Sequence, residues 1–174
     1  MLGTRIILMG VGSAADGGGE QRAEMLCAAN HAIPLYWLLP FDKDDIKFYK
    51  VDNSQNPMIE LPDDKEYPVL ITDKDRAISR LTQRQKTLGM MMADTDKALL
   101  DSWLSFLDGQ PFSMFAVDTF ELWCNRRESQ PLDKELESYF ELLSGVDEKD
   151  GFSLMLSSGE WQSGNAISLA GFGW

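Results

Sequence analysis

Arg5 to Gly19 reads R-I-I-L-M-G-V-G-S-A-A-D-G-G-G. Ile6, Ile7, Leu8 and Met9 form a short unbroken apolar run, the pattern of a strand covered on both faces. Gly10 and Gly12 follow, then Ala15, then Gly17, Gly18 and Gly19. Gly10 to Ala15 matches the spacing G-x-G-x-x-G/A, in which glycines let a pyrophosphate approach the backbone at a helix N-terminus. That motif also wants an acidic residue about 20 positions on, to hold a ribose. Residues 30–37, N-H-A-I-P-L-Y-W, contain none. No G-K-[ST] follows either, so a Walker-type loop is excluded. The stretch is therefore expected to be a buried strand followed by a Gly-rich loop near residues 10–19. Anion binding by Gly10, Gly12, Gly17, Gly18 and Gly19 stands as the alternative reading.

Downstream, Glu20 to Ala29 is rich in good helix formers, with Glu20 and Glu24 placed to suit a helix dipole and Asn30 to stop it. A helix is expected there. On a continuous helix Cys27 would face His31, the only histidine, as a Cys–His pair. A packed thiol and a structural histidine are the plainer expectation. Ile33 to Leu39, I-P-L-Y-W-L-L, predicts a short buried helix between Pro34 and Pro40.

Asp42, Asp44 and Asp45 form an acidic turn. An EF-hand would need Gly and Glu where Lys47 and Asn53 stand, so the turn is read as solvated. Ile46–Val51 predicts a half-exposed strand. Residues 52–68 hold three prolines and the acidic group Asp63, Asp64 and Glu66, a Pro/acidic loop. Val69–Ile71 predicts a short strand, and Thr72 or Asp73 opens a helix to about Met92. Arg76, Arg80 and Arg84 recur on one face of it and should pair with Asp73, Asp75 or another acidic segment. Asp94–Asp108 is the most apolar helix. Phe112–Val117 predicts a strand, Asp118 a cap for a short helix through Cys124, and Pro131–Leu143 a helix closed by Gly145. Asp147–Gly151 reads as a turn, and Phe152–Leu156 and Ala166–Phe172 as two strands.

The chain has 174 residues, 44% hydrophobic and 25% charged, which fits one globular domain spanning 1–174. The expected fold is α+β: a central, mostly antiparallel sheet of about four to six strands with several packed helices. The N-terminal strand and the two C-terminal strands are expected at its centre.

The formal charge is −12. Residues 41–174 carry 14 basic and 25 acidic side chains, or −11 of that total. Such a surface repels phosphate backbones, which argues against nucleic acid. It attracts a basic protein. No stretch approaches the ~20 apolar residues of a membrane helix, no cluster suits a metal or cofactor, and two distant cysteines suit a cytoplasmic protein. The sequence thus predicts an acidic, non-enzymatic protein-binding module, in its most concrete form a bacterial immunity-like inhibitor of a basic toxin. Asp42, Asp44, Asp45, Asp63, Asp64 and Glu66 are the candidate partner-binding carboxylates. The alternative is a small nucleotide- or phosphate-binding protein or enzyme using the Gly10–Gly19 loop.

Overall fold

The structure, a computed structural model, describes residues 4–12, 23–52, 65–91, 94–126, 129–144 and 148–157. Within them a five-stranded sheet runs in the order β2-β1-β5-β4-β3, every pair antiparallel. The strands are β1 (Arg5–Val11), β2 (Ala23–Asn30), β3 (Ile46–Lys50), β4 (Glu66–Asp73) and β5 (Met114–Asp118). The described helices are α1 (Leu35–Leu38), α2 (Lys74–Met90), α3 (Asp94–Asp108), α4 (Phe120–Cys124), α5 (Leu132–Leu143) and α6 (Glu148–Ser157), with a 3-10 turn at Lys43–Asp45. The expected α+β class is the observed one.

Alternation along the strands sorts side chains between two faces. Ile6, Leu8, Leu70, Phe115 and Val117 lie at 0–1% exposure and join one core with Leu81, Trp103, Leu136, Phe140 and Phe152 of the helices. Residues 35–39 and Phe41 are buried completely, so α1 threads the core between sheet and helices. Trp103 donates its indole N–H to the Tyr36 carbonyl at 3.2 Å, pinning α3 to that segment. Arg84, also buried, donates to the carbonyls of Leu39 and Phe41.

Four expectations are corrected. The segment up to Ala29 is not helical where described. Residues 23–30 form β2, in register with β1 from Arg5↔Asn30 to Val11↔Ala23, with a bulge between Leu8 and Met9. Cross-strand pairing overrides the helical preference of A-E-M-L-C-A-A-N. Phe152–Leu156 is not a strand and Glu148–Gly151 is not a turn; both lie in α6. Gly151 permits this, because a Cβ there would meet the Leu142 carbonyl oxygen at 2.0 Å. Its bareness lets α6 press against α5, and Phe152 and Met155 reach the core. Among the described strands the centre is β5, with β1 beside it. The expected strand Ala166–Phe172 lies outside the described residues, as do Met92 and Gly145. The Pro/acidic loop also ends sooner than expected, since Glu66, Tyr67 and Pro68 already belong to β4.

Candidate functional site

The sheet's second face is built by the alternate residues of the same strands. Ile7 and Val69 are the cross-strand partners of Asp118 on its two sides, so the carboxylate stands in the middle of the sheet. Met9 and Ile71 flank Ala116 one pleat along, and Tyr49 lies opposite Tyr67. A cavity of about 160 Å³ opens here, lined by Met9, Val11, Tyr49, Tyr67, Val69, Ile71, Ala116 and Asp118. All eight are strand residues. Asp118 is the one carboxylate among them.

Asp118 Oδ1 accepts the Phe120 N–H at 2.9 Å, while the N-cap position of α4 is Thr119, one residue later than the sequence suggested. Burial pushes its carboxyl above the usual range, and the nearby Glu121 adds to that. The Phe120 N–H and Arg5 pull the other way. Arg5 is itself held by Glu121: its backbone N–H donates to Oε2 at 3.0 Å, and its guanidinium lies 3.4 Å from Oε1. Tyr67 is pushed up to about 12 by burial first, then by Asp118, Tyr49 and Cys124. Its ring meets Phe120 edge-on at 5.1 Å and Trp123 at 6.0 Å, so α4 packs against Tyr67. Thr119 is fully buried and donates to the Pro68 carbonyl, tying the start of α4 to β4.

These shifts all disfavour charge. The Cys27 and Cys124 thiols are likewise pushed up by burial, away from the thiolate that a nucleophile needs. Among the described residues no three of His, Cys, Asp and Glu stand close enough to hold a metal ion. The arrangement is therefore suited to recognition: an apolar strand surface with one desolvated carboxylate at its centre.

The residues singled out in the sequence are placed differently. Asp42 caps the 3-10 turn, its Oδ1 accepting from the Lys43 N–H at 2.8 Å and from Ser144 Oγ at 3.0 Å. Asp45 Oδ2 accepts the Asp42 N–H at 2.9 Å, completing a capping box. Asp45 is buried and pairs with Arg80. Asp42 lies 4.0 Å from Arg80 Nε and 3.7 Å from Arg84. The turn is thus not simply solvated: two of its three carboxylates fasten it to α2, because buried arginines require acceptors. The expected internal pairing of the arginine ridge is observed, with Arg76 on Asp73 at 3.8 Å. Asp44 and Glu66 are exposed; Asp63 and Asp64 lie outside the described residues.

Gly10 faces the core, where a Cβ would meet the Phe112 ring at 2.0 Å. Gly12 has φ +79° beside Ser113. Gly17, Gly18 and Gly19 lie outside the described residues. The next described element is the antiparallel strand β2, not the helix whose N-terminus a dinucleotide motif uses. Cys27 and His31 are not on a helix either. His31 follows β2 with φ 71°, and its Nδ1 lies 2.7 Å from Thr4 Oγ1.

No family model, no curated protein and no solved structure matches this chain.

Proposed function

We propose that this chain is a non-enzymatic, acidic binding module for a basic protein, in its most concrete form an immunity-like inhibitor that covers a basic partner's working surface. The observation that supports this is the apolar strand face centred on Asp118, in a chain of net charge −12. Charge of that size steers a cationic partner and speeds encounter. The apolar residues around Asp118 supply area whose burial stabilises the complex.

The test is affinity capture with the full chain at low and at high salt, followed by binding measurements on the purified partner. A basic protein whose affinity falls steeply with salt is the expected result. No saturable partner at low salt removes this reading. Calorimetry against nucleotides runs beside it, with Gly12→Val as control; nucleotide binding lost in that variant favours the phosphate-binding alternative instead.

A further inference from the structure

The cavity on the second sheet face has a more specific chemistry than an acidic surface. Its walls are aliphatic, from Met9, Val11, Val69, Ile71 and Ala116, with Tyr49 and Tyr67 beside them. Its volume, about 160 Å³, suits a single side chain. It contains one carboxylate, and among the described residues no donor reaches the second oxygen of that group once Oδ1 has taken the Phe120 N–H. Asp118 is half-buried, and a carboxylate partly withdrawn from water in an apolar wall gains from a cation that reaches it. Arg5, whose charge bears on Asp118, is already engaged by Glu121.

Resting on the reading above, we propose that this cavity is a slot for a lysine side chain of the basic partner. The four-carbon stem lies along Val69, Ile71 and Ala116, and the ammonium reaches Asp118. Lysine fits better than arginine for a geometric reason. A guanidinium binds a carboxylate best through both oxygens at once, and Oδ1 is already shared with the Phe120 N–H. A compact ammonium needs only one. The two tyrosines, of which Tyr67 is held in its neutral form, add aromatic surface suited to a cation.

The slot has a pH signature. Five groups besides Asp118 bear on it: Arg5 from β1, Glu121 and Cys124 from α4, Tyr67 from β4 and Tyr49 from β3. Lys47, paired to Val69, stands on the same face with its ammonium on the Asp44 carbonyl. Of these, Asp118 and Glu121 are the carboxylates, and Asp118 is the one that lines the cavity. An arriving ammonium stabilises the Asp118 carboxylate, so binding releases a proton and weakens as the solution is acidified through the carboxyl's range.

The experiment titrates the full ¹⁵N-labelled chain with Nα-acetyl-lysine methylamide, its norleucine analogue and its arginine analogue, following amide shifts. Saturable shifts at Met9, Val69, Ile71, Ala116 and Asp118 are expected with the lysine compound. Binding should be about tenfold weaker for norleucine, which keeps the stem and lacks the charge. Asp118→Asn keeps the acceptor for the Phe120 N–H and should abolish the preference for lysine over norleucine. Norleucine binding as tightly as lysine, arginine binding more tightly, lysine preference surviving in Asp118→Asn, or no saturable shift each overturns the slot. If a basic partner is captured and Asp118→Asn leaves its affinity unchanged, the slot is withdrawn and the binding-module reading stands. If the lysine compound binds and no partner is captured, the reverse holds.

Discussion

Arg84 on α2 donates from its guanidinium to the backbone carbonyl of Leu39 at 2.8 Å, inside the core. It also serves the Phe41 carbonyl and lies near Asp42. One side chain thus satisfies two carbonyls of a segment that is otherwise wholly buried. Arg84→Met keeps the stem and removes the donors. Leaving buried carbonyls unpaired should destabilise the fold by about 3 kcal/mol, read as a shift in urea midpoint with unchanged slope.

Gly10 and Phe112 are packed so closely that a methyl group cannot be added without moving the ring. Gly10→Ala is expected to cost about 1–3 kcal/mol through overpacking. Phe112→Leu in the same chain should return part of that loss. The double-mutant cycle measures the coupling, and additive effects would show that the two residues do not press on each other.

Asp118 sets a second expectation, for stability against pH. Its carboxyl is raised in the folded state, so the folded chain holds that proton more tightly than the unfolded one. The favourable contribution is present below the unfolded carboxyl value and is lost as pH rises through the folded value. Asp118→Asn removes this dependence. It should be more stable than the native chain at pH 7 and closest to it near pH 3, as thermal melts across that range will show.

Tyr67, pushed up to about 12, should ionise after an ordinary tyrosine, which titrates near 10. Tyrosinate absorbance followed to high pH should contain a late phase, and Tyr67→Phe should delete that phase. A Tyr67→Phe curve that loses amplitude near 10 instead contradicts the buried placement of this hydroxyl.

Most elements were legible because their periodicity and caps agreed with their final environment. Asp94–Asp108 and the helix from Leu132 to Leu143 carry apolar faces that the core uses directly. The arginine ridge was legible as internally paired, since cations on an inner helix face must find acceptors. Two elements were hidden by local preference. Ala23–Asn30 is built from helix formers and becomes a strand only because β1 offers it an edge. Glu148–Gly151 looks like a turn until Gly151 is seen against the Leu142 carbonyl. The candidate site was hidden for a different reason. F-S-M-F-A-V-D announced a strand ending in an acid, but a carboxylate set between Ile7 and Val69 depends on register with two strands distant in sequence. An acid closing an apolar strand was the available signal. The acidic turn drew attention instead, and its Asp42 and Asp45 are spent on α2.

Leu8 pairs with Val117, a sequence separation of 117 minus 8, or 109. During synthesis the hairpin of β1 and β2 is complete long before β5 emerges. For that interval β1 presents a bare edge, a row of unpaired amides and carbonyls between apolar side chains, open to any neighbouring strand. The same separation predicts slow closure of the sheet once the chain is released. The nascent protein is therefore most vulnerable to aggregation while its finished first hairpin waits for the central strand.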